Sequence, residues 1–178
     1  IAVSADQPLD VRLPQLLERS AVRWESIDGK SLTEAVNRAL LLTTNDVLLL
    51  SDGLIPMSGM ISALDAALTE EDRASLVVPM VDDEGASEKE LCDFLEDAVL
   101  PPRERVPVPD CVVALMRQSV LAMSGALDES LTGLPEALAD YCLRAQRLGF
   151  VAFREPKAWV SRSRHSFPAA FPASPELV

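Results

Sequence analysis

Asn45-Asp46-Val47-Leu48-Leu49-Leu50-Ser51-Asp52-Gly53-Leu54-Ile55-Pro56 is the stretch that decides how this chain folds. Val47 to Leu50 is an unbroken apolar run between polar breakers, the pattern of a strand covered on both faces. Asn45-Asp46 stops whatever precedes it, and Ser51-Asp52-Gly53 is turn chemistry directly after it. In open α/β sheets, ligands bind in the crevice outside the carboxyl ends of the strands. The run therefore predicts an interior strand with Ser51 and Asp52 at its carboxyl end, facing a crevice.

Working upstream, Ser31-Leu32-Thr33-Glu34 has the form of a capping box and predicts a helix over Leu32 to Leu42. Ala21 to Ile27 reads as a strand closed by Asp28-Gly29, Val11 to Ser20 as a short amphipathic helix, and Ile1 to Ala5 as a first strand. Downstream, Met60 to Leu68 is helical in pattern, Ser75 to Val81 and Cys111 to Met116 are strand-like, and Ser119 to Met123 is a short helix. Leu138, Tyr141, Cys142, Ala145 and Leu148 recur at helical spacing within Pro135 to Leu148, which Gly149 closes as a C-cap, and Phe150 to Phe153 reads as a last strand. The alternation predicts an α/β architecture with a mainly parallel central sheet. Residues 82–110 are acidic and read as an insertion or loop, and 161–178, with Pro168, Pro172 and Pro175, as a C-terminal tail.

The 178 residues suit one domain, and 48% hydrophobic with 25% charged content is globular. With 16 Lys and Arg against 28 Asp and Glu, the net charge is -12. That balance argues against nucleic acid as a partner and requires local help for any phosphate-bearing ligand. Cys92, Cys111 and Cys142 show no zinc spacing and no disulfide framework, which predicts a reduced, cytoplasmic setting. No apolar run approaches the roughly 20 residues of a spanning helix, so no transmembrane span is expected. No Gly-x-Ser-x-Gly elbow or P-loop occurs.

Taken in order, IAVSAD, VRLPQLLERSAVRW, DGKSLTEAVNRAL and NDVLLLSDGLIP, then CVVALMRQSVLAMSGALDES and DYCLRAQRLGFVAFREPKAWV, resemble an inverting family-2 glycosyltransferase domain of the GT-A type. The resemblance spans residues 1–160 apart from the acidic region. It implies a GT-A-like, Rossmann-like nucleotide-sugar-binding sandwich that transfers a sugar from a nucleotide-diphosphate donor to an acceptor that the sequence does not name. IAVSAD aligns best with the family's second strand. The family's first strand then has no counterpart, and other domains or chains are expected to complete the nucleotide pocket.

The resemblance assigns roles residue by residue. Asp6 matches the carboxylate on the uracil or ribose side, Asn37 the Asn of the nucleotide-side helix, and Ser51-Asp52 the end of the DxD motif, whose first Asp is Leu50 here. A divalent cation, magnesium or manganese, would be held by Asp52, with His165, the single histidine of the chain, near the place where the family has a His after its last strand. The general base comes from a Glu-Asp pair ahead of a D-x-C-x-R helix. Counting back from Asp140 puts that pair on Ala137 and Leu138, and a one-residue gap brings in Glu136. Asp140 and Arg144 match the helix itself. Each position also has a bland reading: Asp52-Gly53 as a turn, Glu136 as a helix-start acid, Asp140–Arg144 as an i,i+4 pair, and Asp6 and Asn37 as caps. With Leu50, Ala137 and Leu138 in place of carboxylates, the alternative is a degenerate relative that serves as a binding or assembly module.

Overall fold

The computed structural model describes residues 2–4, 24–26, 31–51, 53–82, 93, 95, 98–109, 113–131 and 133–162. The element order is β1 (Ala2–Ser4), β2 (Trp24–Ser26), α1 (Leu32–Leu40), β3 (Val47–Leu50), β4 (Leu54–Pro56), α2 (Met60–Glu70), β5 (Ala74–Asp82), β6 (Glu104–Val106), β7 (Val113–Met116), α3 (Gln118–Ser124), α4 (Leu134–Arg147) and β8 (Val151–Arg162).

β1 and β2 pair in parallel as a separate two-stranded sheet. Among the described residues the main sheet has six strands in the order β3-β7-β5-β8-β4, with β6 also on β8. It is mixed rather than mainly parallel: among the described residues only β5–β8 is a parallel pairing, while β3–β7, β5–β7, β4–β8 and β6–β8 are antiparallel. The apolar runs misled on this point because they report cover on both faces and carry no information on strand direction. The cover itself is visible in β5, where Leu76 and Val78 face one cluster and Val77 the other.

One layer is α1, α3 and α4, whose Val36, Leu40, Val120, Leu138, Tyr141 and Cys142 pack on Leu76, Val78, Ala114 and Met116. The opposite layer is α2, whose Met60, Leu64, Ala67 and Leu68 meet Val77, Val113, Leu115, Phe153 and Val160. Most of the buried apolar residues belong to these two clusters, the dominant favourable term in folding.

Local chemistry sets the helix ends. Ser31 Oγ accepts from the Glu34 amide at 3.1 Å and opens α1. Pro135 stands in the first turn of α4, with Arg144 and Arg147 in the last, where they complement the helix dipole. Gly149 follows with φ +89, a conformation glycine adopts without strain.

Three elements depart from expectation. β3 forms over Val47–Leu50, but it stands at one end of the strand order and pairs among the described residues with β7 alone, and Leu50 is 48% exposed. Val47 and Leu49 pack toward the α4 layer and Leu48 toward α2, so the run satisfies two faces without being interior. β6 forms inside the segment expected as a loop. β8 continues past Phe153 to Arg162 despite Pro156, because the register slips between Glu155↔Pro79 and Trp159↔Met80 and leaves residues 156–158 out of the ladder, where a missing N–H costs nothing. The helix expected over residues 11–20 lies outside the described residues.

Candidate functional site

The pairing fixes strand direction: β3, β5 and β8 run one way, and β7, β4 and β6 the other. The carboxyl ends of β3, β5 and β8 thus open on one side of the sheet, marked by Ser51, by Asp82, and by Ser161 and Arg162. The chain leaves β3 at Ser51, passes Gly53 at φ +73 and re-enters at Leu54, which pairs with Arg162. Ser161 is buried, and its hydroxyl donates to Asp82 Oδ2 at 3.3 Å, joining the ends of β5 and β8.

Two helix starts face the same side. α1 leads into β3 and α4 into β8 through short connections, and each helix runs back against the strand that follows it. Their first turns therefore stand at the carboxyl side of the sheet, and Thr33 Oγ1 of α1 donates to Leu131 O, just ahead of α4, at 3.0 Å. Asn37, one turn on, holds the same loop at three points. Its Nδ2 donates to Leu127 O at 2.8 Å and to Glu129 Oε1 at 2.9 Å, while its Oδ1 accepts from the Leu127 amide at 2.9 Å. Asp128 accepts from the Ser130 hydroxyl and amide at 2.7 and 2.9 Å, and those bonds hold its carboxyl below the usual range.

Of the residues singled out in the sequence, Ser51, Asn37 and Glu136 fall on this side. Glu136 is exposed in the first turn of α4, with its carboxylate folded over Gly133 so closely that a Cβ there would meet it. Asp140 lies one turn further in and binds Arg144 Nε at 2.7 Å. Arg144 in turn donates to Ser124 O, to Gly125 O at 3.2 Å and to Ala126 O at 2.8 Å, closing the end of α3. Ala137 and Leu138, at 0% and 1% exposure, are core residues. Asp6, Asp52 and His165 lie outside the described residues. Among the described residues, no three His, Cys, Asp or Glu side chains gather as a metal site.

No family model matches the chain, and no curated protein matches it in sequence. The fold has a clear counterpart among solved structures. The crystal structure of GalNAc-T7 with UDP, GalNAc and Mn2+ superposes with a TM-score of 0.69 at 13% sequence identity, over 97% of this chain and 40% of that one. The chain has a GT-A-like fold. It spans well under half the length of GalNAc-T7, and at this identity the likeness concerns architecture alone. Within the GT-A-like fold, Asp82 is the residue that sequence reasoning passed over. Assigned to the acidic segment, it is in fact the last residue of β5. Val77-Val78-Pro79-Met80-Val81-Asp82 repeats the arrangement of an apolar run closed by an acid seen at Val47 to Asp52, and that repetition was the available signal. No helix of the described residues is long and apolar enough to cross a membrane.

Proposed function

We propose that this chain is a glycosyltransferase domain that transfers a sugar from a nucleotide-diphosphate donor to an acceptor hydroxyl with inversion at the anomeric carbon. One observation carries the reading: on a GT-A-like fold, the carboxyl ends of β3, β5 and β8 and the first turns of α1 and α4 meet on one side of the sheet. Asp6, Ser51 and Asp52 form the donor side, and Asn37 serves it through the loop it holds at Leu127 and Glu129. A divalent cation, magnesium or manganese, would be held by Asp52 and His165 and would supply charge neutralisation to the diphosphate leaving group.

In the transfer, the acceptor oxygen forms its bond to the anomeric carbon as the bond to the diphosphate oxygen breaks and that oxygen keeps the electron pair. The acceptor proton passes to a carboxylate, and Glu136, exposed at the start of α4, is the candidate. Asp140 acts on Arg144 and keeps the α3–α4 loop in place.

A second reading has its own support. The positions where the family's Glu-Asp pair would fall, Ala137 and Leu138, are sealed in the core. A chain that kept the fold as a binding or assembly module would carry such losses. Calorimetry with UDP and manganese tests both: saturable, metal-dependent binding that weakens by about tenfold in Asp52→Ala, with an unchanged Tm, supports the transferase site. Absence of nucleotide binding by a folded chain favours the module.

A further inference from the structure

At the opposite end of the sheet, where β5 and β8 begin, a recess of about 380 Å³ is lined by Arg73, Arg105, Val106, Gln146, Phe150 and Val151, among others. Its size falls within the range of small-molecule sites. We propose that this recess binds a small polyvalent oxyanion, of the phosphate or polycarboxylate kind, between the guanidinium groups of Arg73 and Arg105.

The charge arrangement is the reason. In a chain with 28 acidic and 16 basic residues, chance favours a carboxylate beside any arginine. Among the described residues none lines this recess. Among the described residues neither Arg73 nor Arg105 is ion-paired, while Glu70, Glu71 and Glu104 are engaged elsewhere. Glu70 and Glu71 bind Arg103 at 2.7 and 3.7 Å, and Glu104 binds Arg154 at 3.3 Å.

Each guanidinium group also has a contact with the protein. Arg73 donates through Nε and Nη2 to Gly149 O at 2.9 and 2.6 Å, which leaves Nη1 without a partner among the described residues. Arg105 sits 6.0 Å from the ring centre of Phe153, its cross-strand partner, in a cation–π contact, and has no hydrogen bond among the described residues. Gln146 Nε2 donates to Pro107 O at 3.1 Å and ties the end of α4 to the segment after β6. Two arginines in the lining of a recess that shows no carboxylate among the described residues match an anion that offers several oxygens at once. Arg73 alone has a structural role in holding the Gly149 carbonyl just past α4. Arg105 has no equivalent role, so it separates the two explanations.

The site needs neither donor nor metal, so its test is independent of the transferase reading. In buffer free of both, the ¹⁵N-labelled chain is titrated with inorganic phosphate and, separately, with citrate. The expected result is saturable shifts of the Val106, Gly149, Phe150 and Val151 amides. Affinity should fall about tenfold in Arg105→Gln, less in Arg105→Lys, and not at all in Arg38→Gln, which makes the same charge change on α1. Saturation by phosphate alone identifies a phosphate-bearing ligand, and by citrate alone a polycarboxylate; saturation by both leaves the shared chemistry standing. Non-saturating shifts with both probes, or equal affinity in Arg105→Gln and Arg38→Gln, overturn the proposal.

Discussion

Arg103 Nε donates to Glu155 Oε2 at 2.5 Å, and Glu155 is only 2% exposed. The other oxygen of Glu155 accepts from the Lys157 amide at 3.0 Å, so the carboxylate organises the slip in β8 from inside while Arg103 neutralises it from outside. Arg103 also reaches Glu70 at 2.7 Å and so ties the end of α2 to β8. Burial opposes its charge, but the bonds to Glu155 and Glu70 prevail and raise its pKa. Arg103→Leu strands a buried carboxylate and is expected to cost about 3 kcal/mol in urea denaturation. Adding Glu155→Gln should restore part of that loss. A cost near zero for the single variant would show that the pair is not coupled to folding.

Asn37 satisfies both backbone groups of Leu127. Asn37→Ala leaves a buried amide and a buried carbonyl without partners, and a loss of about 2 kcal/mol is expected. The Leu127 amide should then exchange with solvent faster than those of α4. Unchanged protection of Leu127 would mean that the loop is held by other contacts.

Alkaline pH should weaken the fold from within α4. Burial pushes the Cys142 thiol up to about 12, and burial, with the neighbouring Cys142 charge, raises Tyr141 as well. Both groups have folded pKa values above their unfolded ones. Their contribution is therefore complete below about pH 8.5, where the unfolded thiol begins to ionise, and is lost as pH rises toward the folded values. Denaturant titrations should show stability falling by up to about 1.4 kcal/mol per pH unit above that point, and more steeply above about pH 10. Cys142→Ala, in a chain with Cys92 and Cys111 replaced by Ser, should flatten the first part of the decline. The same slope with and without Cys142 would remove it as the cause.

Turnover is expected to be weak, since Leu50, Ala137 and Leu138 replace the carboxylates of the resembled family. Whatever transfer occurs should fall roughly 100-fold to 10,000-fold in Glu136→Gln, the usual contribution of a positioned base. Glu136 is exposed, so the Tm should not move. Robust transfer by Glu136→Gln would place the base on another residue.

What the sequence determined is what depends on near neighbours in the chain. Ser31-x-x-Glu34 announced the start of α1, helical spacing announced α4 to within a residue at either end, and Val47 to Leu50 announced a strand. Capping, periodicity and apolar runs act within a few residues, so they are legible in one dimension. The direction of β7, the edge position of β3, the slip that carries β8 past Pro156 and the meeting of Asp82 with Ser161 across 79 positions were decided only by the tertiary structure. An apolar run needs cover on two faces, and either direction of the neighbouring strand supplies it. The direction and the register follow from which strands pair, and the gathering of Ser51, Asp82 and Ser161 at one end of the sheet follows from both.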